Sequence, residues 1–199
     1  MTSNVQIANR ALTKLGADRI ISLDDDVKAA RAIKSCFDDL RDDELRQHRW
    51  AFALKRTSLA ALADAPAHGF LYQYQPPADF LRLDLIDDRF PRVAMDNYIG
   101  YETAEWMFEG GLILTDIAAP LKVRYIAQIT DANMFDVNFR EALACRIAAE
   151  ICEDITQSNQ KRELAWKEYD RTIKIAVRSN SIERLPQVPP DSAWVLSRI

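Results

Sequence analysis

Apolar positions along the chain set the first expectations. Val5, Ala8, Ala11, Leu12 and Leu15 recur at spacings of three and four, the period of one buried helix face. Ser3 is suited to cap this helix and Gly16 to end it in a left-handed conformation, so a helix is predicted over 3–15. A second is predicted over 24–46, with Ala29, Ile33, Cys36, Phe37 and Leu40 on its inner face. Ser22 and Asp25 stand in capping-box spacing before it, and the run Asp24 to Asp26 suits a helix N-terminus. Trp50, Phe52 and Leu54 alternate with smaller residues and read as a short strand. Residues 60–68 read as a linker of small residues.

From Phe70 to Ile126 the period shortens to two. Candidate strands fall at 70–75, 80–86, 92–95, 104–109, 112–115 and 121–127. Gly110-Gly111, set between two apolar runs, is the strongest hairpin signal. Helical period then returns over 136–157, with Asp136 as cap. Phe139, Leu143, Ile147, Ile151 and Ile155 repeat every four residues, and alanines and cysteines fill most of the remaining circumference. Such a helix is apolar nearly all round and has to be central to a core or shared with a neighbour. A last helix is predicted over 159–178, burying Trp166, Tyr169, Ile173, Ala176 and Val177.

Residues 185–199 hold Pro186, Pro189 and Pro190 and end in Trp194, Val195, Leu196 and Ile199. Proline fixes φ and removes a donor, so an extended arm is expected. Its large apolar groups favour docking on another surface. Pro189, Pro190, Trp194, Val195, Leu196 and Ile199 are the candidate contacts to a neighbouring copy or partner. The fold class is therefore α+β: a four-helix core with an inserted antiparallel β subdomain at about 70–127 and an extended C-terminal arm. One domain spans 1–184.

Composition narrows the function. The 199 residues carry a net charge of −4 without a basic tail or a run of five positive residues, which argues against a strongly electrostatic nucleic-acid binder. A mildly acidic wall still suits a protein that lets DNA pass, because like charge prevents sticking. The acids Asp38, Asp39, Asp42, Asp43 and Glu44, interleaved with Arg41 and Arg46, read as a solvated face. Cys36, Cys145 and Cys152 are odd in number and form no CxxC; small buried groups in a reducing compartment are expected. No signal peptide is read at the N-terminus, and no stretch approaches the roughly 20 apolar residues of a membrane span.

The residues point to no catalytic, cofactor or metal site. The chain has only two histidines, His48 at a helix end and His68 in the linker, and no HExxH, GxSxG, GxGxxG or P-loop. Glu150, Glu153 and Asp154 form the best acidic constellation. Two carboxylates with separated pKa values can hydrolyse glycosides, but Arg146, one turn before Glu150, offers a simpler ion pair. Trp50 with Arg49 and Lys55 has the composition of a base-stacking site; burial is the preferred reading.

Several blocks, in order, resemble the tail tubular protein A family. They are Ile7 to Gly16 (IANRALTKLG), Ile21 to Asp26 with Ala29 to Arg31, and Arg41 to Lys55 (RDDELRQHRWAFALK). Tyr72 to Asp79 (YQYQPPAD) with Leu81 and Leu83, Pro120 to Ile126 (PLKVRYI), Phe135 to Ala144 (FDVNFREALA) and Pro189 to Trp194 (PPDSAW) continue the series. The resemblance implies a head-to-tail adaptor of short-tailed phages. Such a protein is a virion component made in the bacterial host cytoplasm, or encoded by a prophage. It forms a ring with itself, typically of twelve subunits, between the portal protein and the tail nozzle (tail tubular protein B). DNA passes through the lumen without sequence-specific binding. On that reading Asp38 to Glu44 face the channel or its rim, and no cofactor, membrane or catalytic residue is implied. The rivals are a connector or stopper of a long-tailed phage, a cell-wall hydrolase acting through Glu150 and Asp154, and a host helical binding module.

Overall fold

The computed structural model describes residues 3–86 and 106–182. Two helices come first, α1 (Asn4–Leu15) and α2 (Lys28–Gln47). Strands β1 (Leu54–Leu59), β2 (Tyr72–Tyr74), β3 (Phe80–Ile86), β4 (Trp106–Glu109), β5 (Leu112–Thr115) and β6 (Leu121–Ala127) follow. Helices α3 (Val137–Thr156) and α4 (Asn159–Ile182) complete the set. The fold is α+β, four helices with two small antiparallel sheets.

Local chemistry explains the helix ends. The Ser3 hydroxyl accepts from the Gln6 amide in a capping box, and Gly16, at φ +70°, closes α1. Asp136 accepts from the amides of Asn138 and Phe139 at the start of α3. The Ser22–Asp25 pair does not cap α2 as its spacing predicted. Asp25 instead accepts from the amides of Ile21 and Ser22, which closes a separate turn, and α2 begins at Lys28 without a side-chain cap. Short acidic side chains readily satisfy local turns in this way. At the other end of the chain α4 runs to Ile182, past the expected 178. Asn180 accounts for the extra turn: its Oδ1 accepts from the Ala51 amide at 2.8 Å and its Nδ2 donates to the Arg49 carbonyl at 2.6 Å.

Helix α3 is the hub, packed against α1, α2 and α4. Ten of its twenty residues are buried. Around Phe139 the rings of Trp50, Phe52 and Phe135 gather at centroid distances of 4.9, 5.1 and 5.0 Å. The Trp50 indole N–H finds the Glu44 carbonyl at 2.8 Å, which satisfies its one polar atom inside the core. Residues 51–53 form a short 3-10 turn, so the strand expected from Trp50 begins only at Leu54. The ring cluster draws Trp50 and Phe52 inward together, which an extended backbone, pointing successive side chains to opposite faces, serves less directly.

The β region also begins earlier than 70. Strand β1, which ends just before the expected linker, pairs antiparallel along its whole length with β6, and β3 covers the other edge of β6. A second sheet has the order β2–β5–β4. Its β4–β5 hairpin turns at Gly110 and Gly111, both with positive φ, as the two-glycine signal predicts. Strands 80–86, 112–115 and 121–127 fall where the alternation places them. The first candidate shrinks to Tyr72–Tyr74, and the candidate at 92–95 lies outside the described residues.

Phe139→Ala removes the ring on which three others converge. A loss of about 3–5 kcal/mol of unfolding free energy is expected, read from urea denaturation followed by circular dichroism. A loss below about 1 kcal/mol would place the keystone of the core elsewhere.

Candidate interaction surfaces and buried charge clusters

The five acids expected on a channel face do not share one environment. Asp38 and Asp39 are exposed, Asp42 and Asp43 are partly buried, and Glu44 is fully enclosed. Glu44 continues the inward stripe of Ile33, Phe37 and Leu40 at spacings of four and three, so helical period carries its carboxylate into the core. It therefore cannot face a channel. The interleaved Arg41 is buried too, paired with Asp38 at 2.6 Å and Asp42 at 2.8 Å.

Glu44 meets α3 and α4 in the seam between three helices. The Tyr169 hydroxyl donates to Glu44 Oε1. Arg146 Nε stands 3.9 Å from the same oxygen, with its Nη2 3.8 Å from Asp43. The guanidinium lies over the Trp166 and Tyr169 rings at 4.8 and 5.3 Å, a cation–π arrangement. Arg146 thus turns to α2 and α4, and the expected pair with Glu150 does not form. Burial pushes the Glu44 carboxyl above its ordinary value, against the opposing pull of the Tyr169 hydrogen bond and Arg146. The same burial and the Glu44 contact hold the Tyr169 phenol far above its own. An acid beside a phenol is chemistry an enzyme could use, but Glu44 has no exposed surface for a substrate to reach.

A second cluster joins α1, α3 and α4. Donor atoms of Glu141, Cys145 and Glu168 lie within 4.8 Å of one another. The Lys14 ammonium stands among them, 2.8 Å from Glu141 and 2.6 Å from Glu168, and Arg10 grips Glu141 with two bonds of 3.0 Å. Lys14 already supplies the positive charge that the two carboxylates need, so the arrangement fits a salt-bridge seam better than an ion site. Burial pushes the Cys145 thiol up, away from the reactive thiolate. Cys36 is likewise raised, to about 11, and all three cysteines are free. Sequence reasoning missed this seam because its partners are 131 and 154 residues apart.

The remaining candidates are surface groups. Glu150, Glu153 and Asp154 are all exposed on α3. Glu153 pairs with Arg162 at 2.6 Å, while Lys28 donates to the Asp154 carbonyl. His48 closes α2 and meets Trp50 edge-on. On α4, Leu164, Ile175 and Ile182 are 64%, 54% and 77% exposed. Their spacings of eleven and seven place them within about 20° of one another around the helix, so they lie along one line of α4, with Glu168 and Arg171 between the first two and Arg178 between the last two. The arm residues Pro189, Pro190, Trp194, Val195, Leu196 and Ile199 lie outside the described residues. No helix among the described residues is long and apolar enough to cross a membrane.

No protein-family model matches the chain, and no curated protein matches it significantly.

The Glu44 seam generates a pH prediction. Its carboxyl titrates higher in the folded chain than in the unfolded one. Between those two values the folded chain keeps a proton that the unfolded chain has lost, so this group's contribution to stability declines as pH rises through that window. Glu44→Gln removes the titration and keeps an acceptor for Tyr169. The melting temperature of the variant relative to wild type is expected to climb as pH rises above the ordinary carboxylate range. A difference that stays level or falls would contradict the raised carboxyl.

Proposed function

We propose that the chain is a structural ring subunit of a short-tailed phage or prophage: the head-to-tail adaptor between portal protein and tail nozzle, with DNA passing through the lumen. The observation that carries this reading is the exposure of three large apolar side chains, Leu164, Ile175 and Ile182, along one line of α4. Three large side chains aligned on one solvent-facing line gain free energy only when something covers them. A ring subunit has such a cover in its neighbour, because closed rings repeat one heterologous contact. The ordered sequence blocks, the four-helix set and the inserted sheets agree with the adaptor. Asp38 and Asp39, both exposed, are the acids suited to a channel rim. In this reading the protein works without catalysis.

Light scattering of the purified chain, alone and mixed with its portal protein, tests the proposal. A ring-sized species, or a defined complex with the portal, is expected. A monomer under both conditions would overturn the adaptor reading. Deletion of 185–199 probes the arm: assembly should weaken while the melting temperature of the isolated chain stays where it was. A large fall in that temperature would assign the arm to its own core.

A further inference from the structure

Leu164, Ile175 and Ile182 mark out about 27 Å along α4, at roughly 1.5 Å per residue. Two cavities open beside this line and share Glu168. One, of about 370 Å³, lies between α1, α3 and α4, and Leu15, Cys145, Ala148, Leu164 and Ala165 give it apolar walls. Exposed Lys161 lines it as well. The other, of about 320 Å³, runs along Glu168, Arg171 and Ile175 against Asn138 and Glu141 of α3. Together they form a groove that is apolar at Leu164 and Ile175 and polar between them. Leu164 and Ile175 stay more than half exposed with all the described residues in place.

Residues 185–199 have the length and the chemistry to fill this groove. At the roughly 3.1 Å per residue of a proline-rich extended chain, the arm reaches about 46 Å, more than the whole line. Trp194, Leu196 and Ile199 supply large apolar groups, and Asp191 offers a carboxylate to Arg171. Pro186, Pro189 and Pro190 restrict the free arm, so docking costs less ordering than it would for a flexible chain. Trp194 is the largest of its side chains and suits the larger cavity. There an indole ring meets Leu164 and Ala148, Lys161 can lie over its face, and Thr13 or Glu168 can accept from its N–H.

The sequence after α4 favours the groove of another copy over the arm's own. A chain that reverses straight after a helix commonly does so at a glycine or asparagine in the left-handed region. Residues 183–199 contain neither. Leu185, which precedes Pro186, is biased toward extended backbone. We propose that the arm 185–199 of one copy lies in the α4 groove of a neighbouring copy, with Trp194 in the cavity beside Leu164. The inference rests on the adaptor reading for the identity of the neighbour. Such a contact joins two different surfaces, arm and groove, and so repeats head to tail round a closed ring.

Complementation between two full-length variants tests this. Trp194→Ala removes the anchor of the arm and keeps the groove; Leu164→Glu spoils the groove and keeps the arm. Circular dichroism melts confirm that each variant folds. In light scattering each variant alone should be monomeric, while a mixture in equal amounts should form a two-chain species, because each pair retains one intact arm and one intact groove. An arm docked on its own chain, or on the portal protein alone, would leave the mixture monomeric. A fluorescein-labelled peptide of residues 185–199 gives a second reading by anisotropy. It should bind the full-length Trp194→Ala chain saturably, and about tenfold or more weaker once Leu164→Glu is added. Overturning results are a mixture that stays monomeric, variants that assemble as wild type does, or peptide binding that Leu164→Glu leaves unchanged. Rings that survive both substitutions would sink the arm contact and spare the adaptor reading. Arm-dependent pairing in a wild type that forms only dimers and ignores the portal would do the reverse.

Discussion

A helix whose circumference is almost entirely apolar cannot be satisfied by one neighbour, and α3 imposes that condition on the rest of the chain. Three helices cover it from separate sides. Its small residues, Ala142, Ala144, Ala148, Ala149 and the two buried cysteines, let those helices approach closely. Each covering helix then brings its own polar groups to the seams. From α1 come Arg10 and Lys14, which find Glu141 and Glu168. From α2 comes Glu44, whose position on the inward stripe leaves it no route to solvent. The aromatic group around Phe139 carries the same packing outward to the turn that leads into β1, and Asn180 locks that turn to the end of α4.

The Glu44 seam follows from this geometry and has a structural consequence. A buried carboxylate and guanidinium cost desolvation that their mutual attraction does not readily offset, and here one Glu44 oxygen lacks any partner. Apolar residues would serve stability at least as well. What the polar set provides is alignment: Tyr169, Arg146 and Glu44 meet only when α2 and α4 stand in one rotation and one axial position on α3. A core of interchangeable alanines supplies little of that discrimination by itself, because small side chains permit neighbouring registers.

The helices were legible because period, caps and stops agree over long segments. Ser3, Gly16 and Asp136 act where their chemistry predicts, and the Gly110-Gly111 hairpin forms. Misreadings arose where a local signal had two outlets. Ser22 and Asp25 have the spacing of a cap and also of a closed turn, and the turn prevailed. Trp50 and Phe52 have the spacing of a strand, yet the rings near Phe139 draw both inward. Strand β1 carries no apolar alternation over Lys55, Arg56, Thr57 and Ser58, and its pairing with β6 is seen only in three dimensions. Glu44 was readable in principle from the 33, 37, 40, 44 progression, but its charge argued for the surface.

The charge distribution was the least legible feature for a general reason. Linear charge runs report tails and solvated helix faces, whereas a sheet assembles its face from every second residue of distant strands. Arg46 and Arg49 follow the acids of α2 in sequence, Arg82 lies on β3, and Lys122 and Arg124 on β6; no window of the chain contains them all. The fold nevertheless brings Arg82 of β3 near the acids of α2, since Arg82 and Asp43 both act on His48.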